Sequence, residues 1–316
     1  MDWRNQTSIT EFILVGFGNL HELQIPFFLV IYIVTMAGNI LIIALVVADQ
    51  YLHTLMYFFQ GNLSCLETCY SSTILPRMLA GLLTGDRTIS FIERITQLYI
   101  FGSMVSVECC LLSAMSYYQY LAICKPLYYA VLMNGSVSFH LAAGLWVSGF
   151  LACTITTSWI SQIIYCGPNE IDHFFCDFTP VTKLSCSDTR LMTLVIFLFT
   201  YILTLPPFLL TLASYMCNIT TIHRIPSTAG RQKAFSTCSS HLIVVTIFYG
   251  TLIIVYLLPD TDTLRDLNKV FSLFYTVLTP LANPLIYSLR NKEQTILYTV
   301  IAHCNKVKIM GTHLIV

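Results

Sequence analysis

Residues 191–223 read LMTLVIFLFTYILTLPPFLLTLASYMCNITTIH and contain no Asp, Glu, Lys or Arg. A helix that crosses about 30 Å of hydrocarbon needs about 20 mostly apolar residues, so this stretch is long enough to span a membrane. Three other stretches that lack these charges also have the length of a span, and they lie at 23–48, 234–259 and 270–289. The sequence therefore predicts an integral membrane protein in which each stretch holds one helix.

Three more spans are predicted where the apolar pattern is interrupted. One helix is expected at about 139–164, between turn-rich segments. Another runs from about 55 to 83 with Glu67 inside it, and a third from about 95 to 123 with Glu108 inside it. The total is seven, so we expect an all-α seven-helix transmembrane bundle whose two termini lie on opposite sides of the membrane.

The composition excludes several other classes of protein. Of the 316 residues, 56% are hydrophobic and only 10% are charged, whereas soluble domains carry about 25% charged residues. The 16 basic and 16 acidic residues form no basic patch that would hold nucleic acid. The sequence also lacks the His-Glu-x-x-His and Gly-x-Ser-x-Gly motifs of hydrolytic enzymes, so we expect neither an enzyme nor a metal site.

Loop charge does not decide the orientation in the membrane, because Lys and Arg divide equally, eight on each side. Two other features do. Asn5 begins a glycosylation sequon, Asn5-Gln6-Thr7, and three cysteines lie in the loop between the fourth and fifth spans, as an oxidising compartment would permit. We therefore expect an extracellular amino-terminal segment (1–23), a seven-helix domain (24–289) and a cytoplasmic tail (290–316) of a plasma-membrane protein.

Short motifs occur in order along nearly the whole chain. They are GN at 38–39, LHTLMYFF at 52–59, MSYYQYLAICKPL at 115–127, SY at 214–215, KAFSTCSSH at 233–241 and PLANPLIYSLRN at 280–291. Together with seven spans and a cysteine-bearing second outer loop, this set resembles the vertebrate olfactory receptors, a branch of the rhodopsin-like G-protein-coupled receptors. The resemblance implies small volatile ligands, a stimulatory heterotrimeric G protein as partner, and no enzymatic activity.

The resemblance places a ligand pocket in the outer half of the bundle, between the third, fifth, sixth and seventh spans. Apolar pockets with a few polar groups suit small volatile molecules. For each residue taken singly, packing against another helix or against lipid is the alternative interpretation. The candidates at matching depths are Phe101, Met104, Val105, Ile202, Leu205, Phe248, Tyr249, Thr251 and Tyr275.

The chain departs from the family pattern at the cytoplasmic end of the third span. Family members carry Asp-Arg-Tyr where this chain has Tyr118, Gln119 and Tyr120. In the family, the Asp and Arg form an ion pair in the resting state, and the Arg meets the G protein on activation. Gln119 has no fixed charge and no fork of five donors, and Tyr118 cannot form the ion pair. Two alternatives follow, a receptor that couples through Gln119 and a receptor-like chain that has lost coupling.

A second departure concerns the outer disulfide. Arg94 stands where the family has the cysteine that bridges to the middle cysteine of the second outer loop, here Cys176. We therefore expect Cys176 to be a free thiol. By the same resemblance, Cys166 and Cys186 form the second bridge of the family.

The two intramembrane acids form the other candidate site. An acid at the centre of a helix is costly in a bilayer and usually faces the bundle interior. The resemblance implies that Glu67 and Glu108 approach one another near Asn39 and Asn283, where related receptors hold a sodium ion. A bound cation or shared proton is one interpretation, and a pair of protonated acids bonded to the seventh span is the other. A proton-coupled transporter that uses both acids is a further alternative.

Apolar residues recur at helical spacing in the tail after Arg290. The sequence predicts that Ile296, Leu297, Val300 and Ile301 form one face of a short amphipathic helix. Such a helix would lie on membrane lipid at the inner leaflet.

Overall fold

The computed structural model describes residues 11–16, 21–48, 55–132, 135–163, 165, 169–178, 185, 190–257 and 262–290. The described part is a bundle of long helices. They are α1 (His21–Ala48), α2 (Leu55–Thr84), α3 (Phe91–Cys124), α4 (Pro126–Leu132), α5 (Gly135–Ile160), α6 (Arg190–His223), α7 (Thr228–Leu257), α8 (Asp262–Leu273) and α9 (Thr279–Arg290). A π-helix, Phe274–Leu278, joins α8 to α9 without a break.

Five described helices could cross a membrane on length and composition alone. Their apolar segments are Gln24–Ala48, Phe91–Cys124, Gly135–Ile160, Arg190–His223 and Thr228–Tyr256. The 30-residue α2, which carries Glu67, and the continuous α8–π–α9 helix complete a seven-helix bundle. The last of these begins at Asp262, eight residues before the predicted start, because a helix continues past the point where charged residues mark the edge of the bilayer.

The α3 helix lies at the centre of the bundle and packs against α2, α5, α6 and α7. Two glycines allow helices to approach closely. A Cβ atom at Gly149 of α5 would lie 2.5 Å from Cγ2 of Val107, and one at Gly38 of α1 would lie 2.9 Å from Cβ of Pro284. Small residues at helix contacts are typical of membrane bundles, where tight packing drives association.

A small sheet crosses the outer end of the bundle. Its strands are β1 (Glu11–Leu14), β2 (Thr88–Ser90) and β3 (Glu170–Ile171), in the order β2-β1-β3. Strand β1 runs antiparallel to β2, with Phe12 opposite Ile89, and parallel to β3, with Leu14 opposite Ile171. The sheet joins the amino-terminal segment to the second outer loop, an arrangement that sequence analysis did not predict.

Several predicted features lie outside the described residues. They are the sequon at Asn5, the Cys166–Cys186 bridge and the amphipathic helix of the tail.

Candidate functional site

A cavity of about 330 Å³ lies between the helices, next to the loop that follows α5. Helices α3, α5, α6 and α7 form its walls, and the loop after α5 contributes Asp177 and Phe178. The lining is mostly apolar, with a few hydroxyls such as those of Ser106 and Thr204. A mostly apolar cavity of this size that carries few polar groups is typical of a small-molecule site.

Three of the predicted ligand residues line the cavity: Phe101, Val105 and Leu205. Tyr249 lies one layer behind it. The Tyr249 ring packs against that of Phe208, which lines the cavity, at a centroid distance of 5.2 Å. Its hydroxyl donates to the carbonyl oxygen of Cys109 at 2.7 Å and so joins α7 to α3.

The other predicted ligand residues are not part of the lining. Met104, Phe248, Thr251 and Tyr275 are buried in the helix core. The Tyr275 hydroxyl lies 3.3 Å from that of Tyr256, and Tyr256 lines the cavity. The side chain of Ile202 is 61% exposed on the outer surface of α6, where lipid would cover it.

The polar lining residues that sequence analysis missed include Asp177 and Tyr256. The Tyr256 hydroxyl lies 3.0 Å from Oδ1 and 2.9 Å from Oδ2 of Asp177, to which it donates. A helical spacing could have indicated Tyr256, because residues 249, 252, 253 and 256 share one helix face. Burial raises the pKa of the Asp177 carboxyl to about 6.

The predicted ion site comes together in the middle of the bundle. Glu67 on α2 and Glu108 on α3 are fully buried and close enough to interact electrostatically. Nδ2 of Asn283 on α9 donates to Oε1 of Glu67. Asn39 on α1 donates to the carbonyl oxygens of Thr35 and Pro280, both at 3.1 Å. Four helices thus converge on two carboxyl groups.

Five oxygen atoms at this site have no close hydrogen-bond partner among the described residues, although the Tyr70 hydroxyl lies near enough to Glu108 to interact with it. They are Oε2 of Glu67, both carboxyl oxygens of Glu108, and Oδ1 of Asn39 and of Asn283. Oxygen atoms of this kind are the ligands that hard cations take in proteins, so the residues fit a small cation such as sodium. Within the described residues, no group of three or more His, Cys, Asp or Glu side chains could hold a metal ion.

At the carboxyl-terminal end of α3, the residues that replace Asp-Arg-Tyr form neutral hydrogen bonds. The hydroxyl of Tyr118 lies 2.6 Å from Oγ of Ser138 on α5. Oε1 of Gln119 accepts a hydrogen bond of 3.2 Å from Tyr215 on α6, and the same hydroxyl lies 2.5 Å from Nδ1 of His241 on α7. We call Gln119, Tyr215 and His241 the neutral chain. It joins α3, α6 and α7 without an ionised group on α3.

The third residue of the motif takes no part in the neutral chain. Tyr120 is half-buried, and its ring packs against that of Tyr117 at 6.0 Å.

At the outer end, Arg94 occupies an aromatic cluster. Its guanidinium carbon lies 4.2 Å from the ring centroids of Phe12 and Tyr165 and 5.0 Å from that of Phe91. Arg94 and Cys176 are both fully buried, and Cys176 is a free thiol, as predicted. Burial raises the pKa of this thiol to about 12, although nearby Arg94 acts in the opposite direction. Cation–π contacts therefore stand where the family pattern has a disulfide.

Comparison with known proteins identifies the family. Residues 28–306 match the olfactory receptor family model. The chain is 46% identical to human olfactory receptor 10A4 over 93% of this chain and 94% of that protein. It is 48% identical to human olfactory receptor 10A7 over 92% of both chains. Mouse olfactory receptor 5AP2 is 45% identical, again over 92% of both chains.

These matches confirm the predicted family, the seven-helix fold, the multi-pass membrane location and the prediction that the protein is a receptor and not an enzyme. They give no support to a proton-coupled transporter. The chain belongs to the olfactory receptor family, whose members are odorant-sensing G-protein-coupled receptors.

Proposed function

We propose that this receptor binds small volatile molecules in the 330 Å³ cavity and activates a stimulatory heterotrimeric G protein. It does so from the plasma membrane, with its amino terminus outside. The observation that supports the site best is the cavity itself, which is mostly apolar and lined by residues of α3, α5, α6, α7 and the second outer loop. A ligand there touches α3, α6 and α7, the three helices that the neutral chain joins at the cytoplasmic end.

Two matched substitutions on α6 test the cavity. Thr204→Phe places a large ring inside it, whereas Ile202→Phe places the same ring on the outer surface. We expect Thr204→Phe to abolish both odorant-evoked cyclic AMP and ligand-induced thermal stabilisation of the purified receptor. Ile202→Phe should leave both unchanged. Equal loss in both variants, at equal surface staining, would contradict the assignment of the cavity.

We propose that the neutral chain takes the place of the ion pair in the resting state. Gln119 is almost fully buried and is held by Tyr215, so α3 is tied to α6 and α7. A ligand that moves α7 relative to α3 would break these hydrogen bonds and free the ends of the helices for the G protein. Coupling through Gln119 should be weaker than through an Arg, because the amide brings no charge.

At Glu67 and Glu108 we propose a bound cation or a shared proton that stabilises the resting state. Two close carboxylates in a buried site cannot both stay ionised cheaply without one. We expect sodium to lower basal cyclic AMP in the native receptor and to have no effect on Glu67→Gln. The same salt series with potassium is the control for ionic strength. A native receptor that is indifferent to sodium would leave the protonated pair as the better interpretation.

A further inference from the structure

A carboxyl group lies in the mostly apolar wall of the cavity. Among the described residues that line it, Asp177 is the only one with an acidic or basic side chain. The side chain is 3% exposed. The preceding residue fixes its position, because the backbone N–H of Cys176 donates to Oε1 of Gln97 on α3 at 3.0 Å. The fold therefore holds the carboxyl group in a fixed position in the cavity wall.

The hydrogen bonds of Asp177 leave room for another donor. Oδ1 accepts from the backbone N–H of Phe178 at 2.7 Å, and the single hydroxyl proton of Tyr256 serves both oxygens. A carboxylate has about four lone-pair sites, so at least one can still accept a hydrogen bond.

No cation pairs with Asp177 within the described part of the chain. Lys269 forms its ion pair with Asp172 at 2.5 Å, on the outer side of the bundle. The guanidinium of Arg94 lies among the rings of Phe12, Phe91 and Tyr165. A buried carboxylate without a cation is unfavourable, and a positively charged ligand would supply the missing partner.

A small organic ammonium ion matches this arrangement. Its NH₃⁺ group brings a full charge and three donors to the carboxylate, and its hydrocarbon part packs against apolar lining residues such as Val105 and Leu252. The Phe178 and Tyr256 rings beside the acid also favour a cation. A ligand with a carboxylate would be repelled.

We propose that the cavity selects small aliphatic amines in their protonated form, with Asp177 as the counter-ion. This inference rests on the proposed function, because it names the ligand class of the same cavity.

Three ligands of equal chain length test the inference: hexylamine, hexan-1-ol and hexanoic acid. Their effect on the thermal stability of the purified receptor reports binding without the G protein, and evoked cyclic AMP reports signalling. We expect hexylamine to act at the lowest concentration. Asp177→Asn keeps an acceptor for Tyr256 but removes the charge, so the half-maximal concentration of hexylamine should rise about 10- to 100-fold. That of hexan-1-ol should stay within about twofold.

Two further variants separate charge from folding. Asp172→Asn makes the same change on the same loop at a half-exposed acid that does not line the cavity, and it should keep the amine preference. Tyr256→Phe removes the hydroxyl but keeps the charge of Asp177, so it should change the potency of both ligands but leave hexylamine active at a lower concentration than hexan-1-ol.

Equal potency of hexylamine and hexan-1-ol in the native receptor would overturn the amine inference and leave the proposed function intact. An equal loss of potency for hexylamine and hexan-1-ol in Asp177→Asn would also overturn it, since Asp177 would then only hold the loop in place. If no ligand of a broad odorant mixture changed stability or cyclic AMP at normal surface staining, the proposed function would fail, and the inference with it.

Discussion

The outer and inner ends of α3 replace two family features in opposite ways. At the outer end, Arg94 brings a buried charge to the position where the family pattern has a neutral disulfide. At the inner end, Gln119 and Tyr118 replace an ion pair with neutral hydrogen bonds. In both places the helix stays joined to its neighbours, but by contacts of a different physical kind.

The difference bears on stability at one end and on switching at the other. A disulfide constrains the unfolded chain, whereas the contacts of Arg94 with three aromatic rings act only in the folded state. Hydrogen bonds between neutral groups are each worth about 1 kcal/mol, less than bonds to charged groups. The outer end should therefore be the weaker point of the fold, and the inner end should be easier to open than in receptors that keep the ion pair.

Restoring the outer cysteine should have the largest effect. Arg94→Cys places a thiol at the family position opposite Cys176, and the bridge should add about 2–4 kcal/mol to the free energy of unfolding. The shift is measured as the thermal denaturation midpoint of the purified variant against that of the native receptor, and the bridge as one free thiol fewer than in the native receptor.

Arg94→Ser is the matched control for Arg94→Cys, because serine is similar in size to cysteine but cannot form a disulfide. It should lower stability, since the cation–π contacts are lost and a space is left beneath the sheet. Equal midpoints for the Cys and Ser variants would show that position 94 does not reach Cys176.

Removing the central hydroxyl of the neutral chain should have the next largest effect. Tyr215→Phe breaks the contacts with both Gln119 and His241, at a cost of about 1–2 kcal/mol to the resting state. Ligand-independent cyclic AMP should then rise about 5- to 30-fold at equal surface staining. Tyr117→Phe, a partly exposed tyrosine near the same end of α3, should change nothing. Unchanged basal signalling in Tyr215→Phe would show that the neutral chain does not stabilise the resting state.

Acidification should have the smallest effect. Burial raises the pKa of Asp177 to about 6, and only its carboxylate form pairs with an ammonium ion. The fraction of carboxylate falls as the pH falls through 6, so the hexylamine potency should decrease about 10-fold between pH 7 and pH 5. Titratable groups close to Asp177 include Tyr256, Tyr275 and Cys176. Phenols do not ordinarily ionise in that range, and burial raises the pKa of the Cys176 thiol to about 12.

The amine itself stays protonated throughout, like a lysine side chain. Asp177→Asn should abolish the pH dependence, and the response to hexan-1-ol should show none. A hexylamine response that grows on acidification would contradict the role of the carboxylate.

Five of the spans could be predicted from the sequence because the bilayer imposes a simple rule, that charge is absent from about 20 consecutive residues. The other two were predicted from the same apolar pattern although each contains an acid, Glu67 or Glu108. The outer sheet could not. Its strands have two to four residues and come from positions as far apart as Glu11 and Glu170, so no local pattern records their pairing. The same limit applies to Arg94, whose family position indicated the lost disulfide but not the three rings that now surround it.

For the cavity, the sequence indicates the depth of a residue along its helix but not its rotation about the helix axis. Phe101, Val105 and Leu205 line it as expected, whereas Ile202 lies at a suitable depth on the wrong side of α6 for the cavity. Successive residues differ by about 100° around a helix, and an apolar helix that faces lipid and protein offers no polar side to fix its rotation. Asp177 was missed because only the folded loop brings it into the cavity.

The decisive experiment concerns coupling through a neutral residue. Cyclic AMP evoked by an odorant mixture is compared between the native receptor and a Tyr118→Asp, Gln119→Arg variant, with surface staining of an amino-terminal tag held equal. We expect both to respond, and the restored variant to give the larger maximal response, because Arg brings the charge and the donors that Gln119 lacks. A silent native receptor beside a responsive variant would mean that the cavity has survived in a chain that no longer couples.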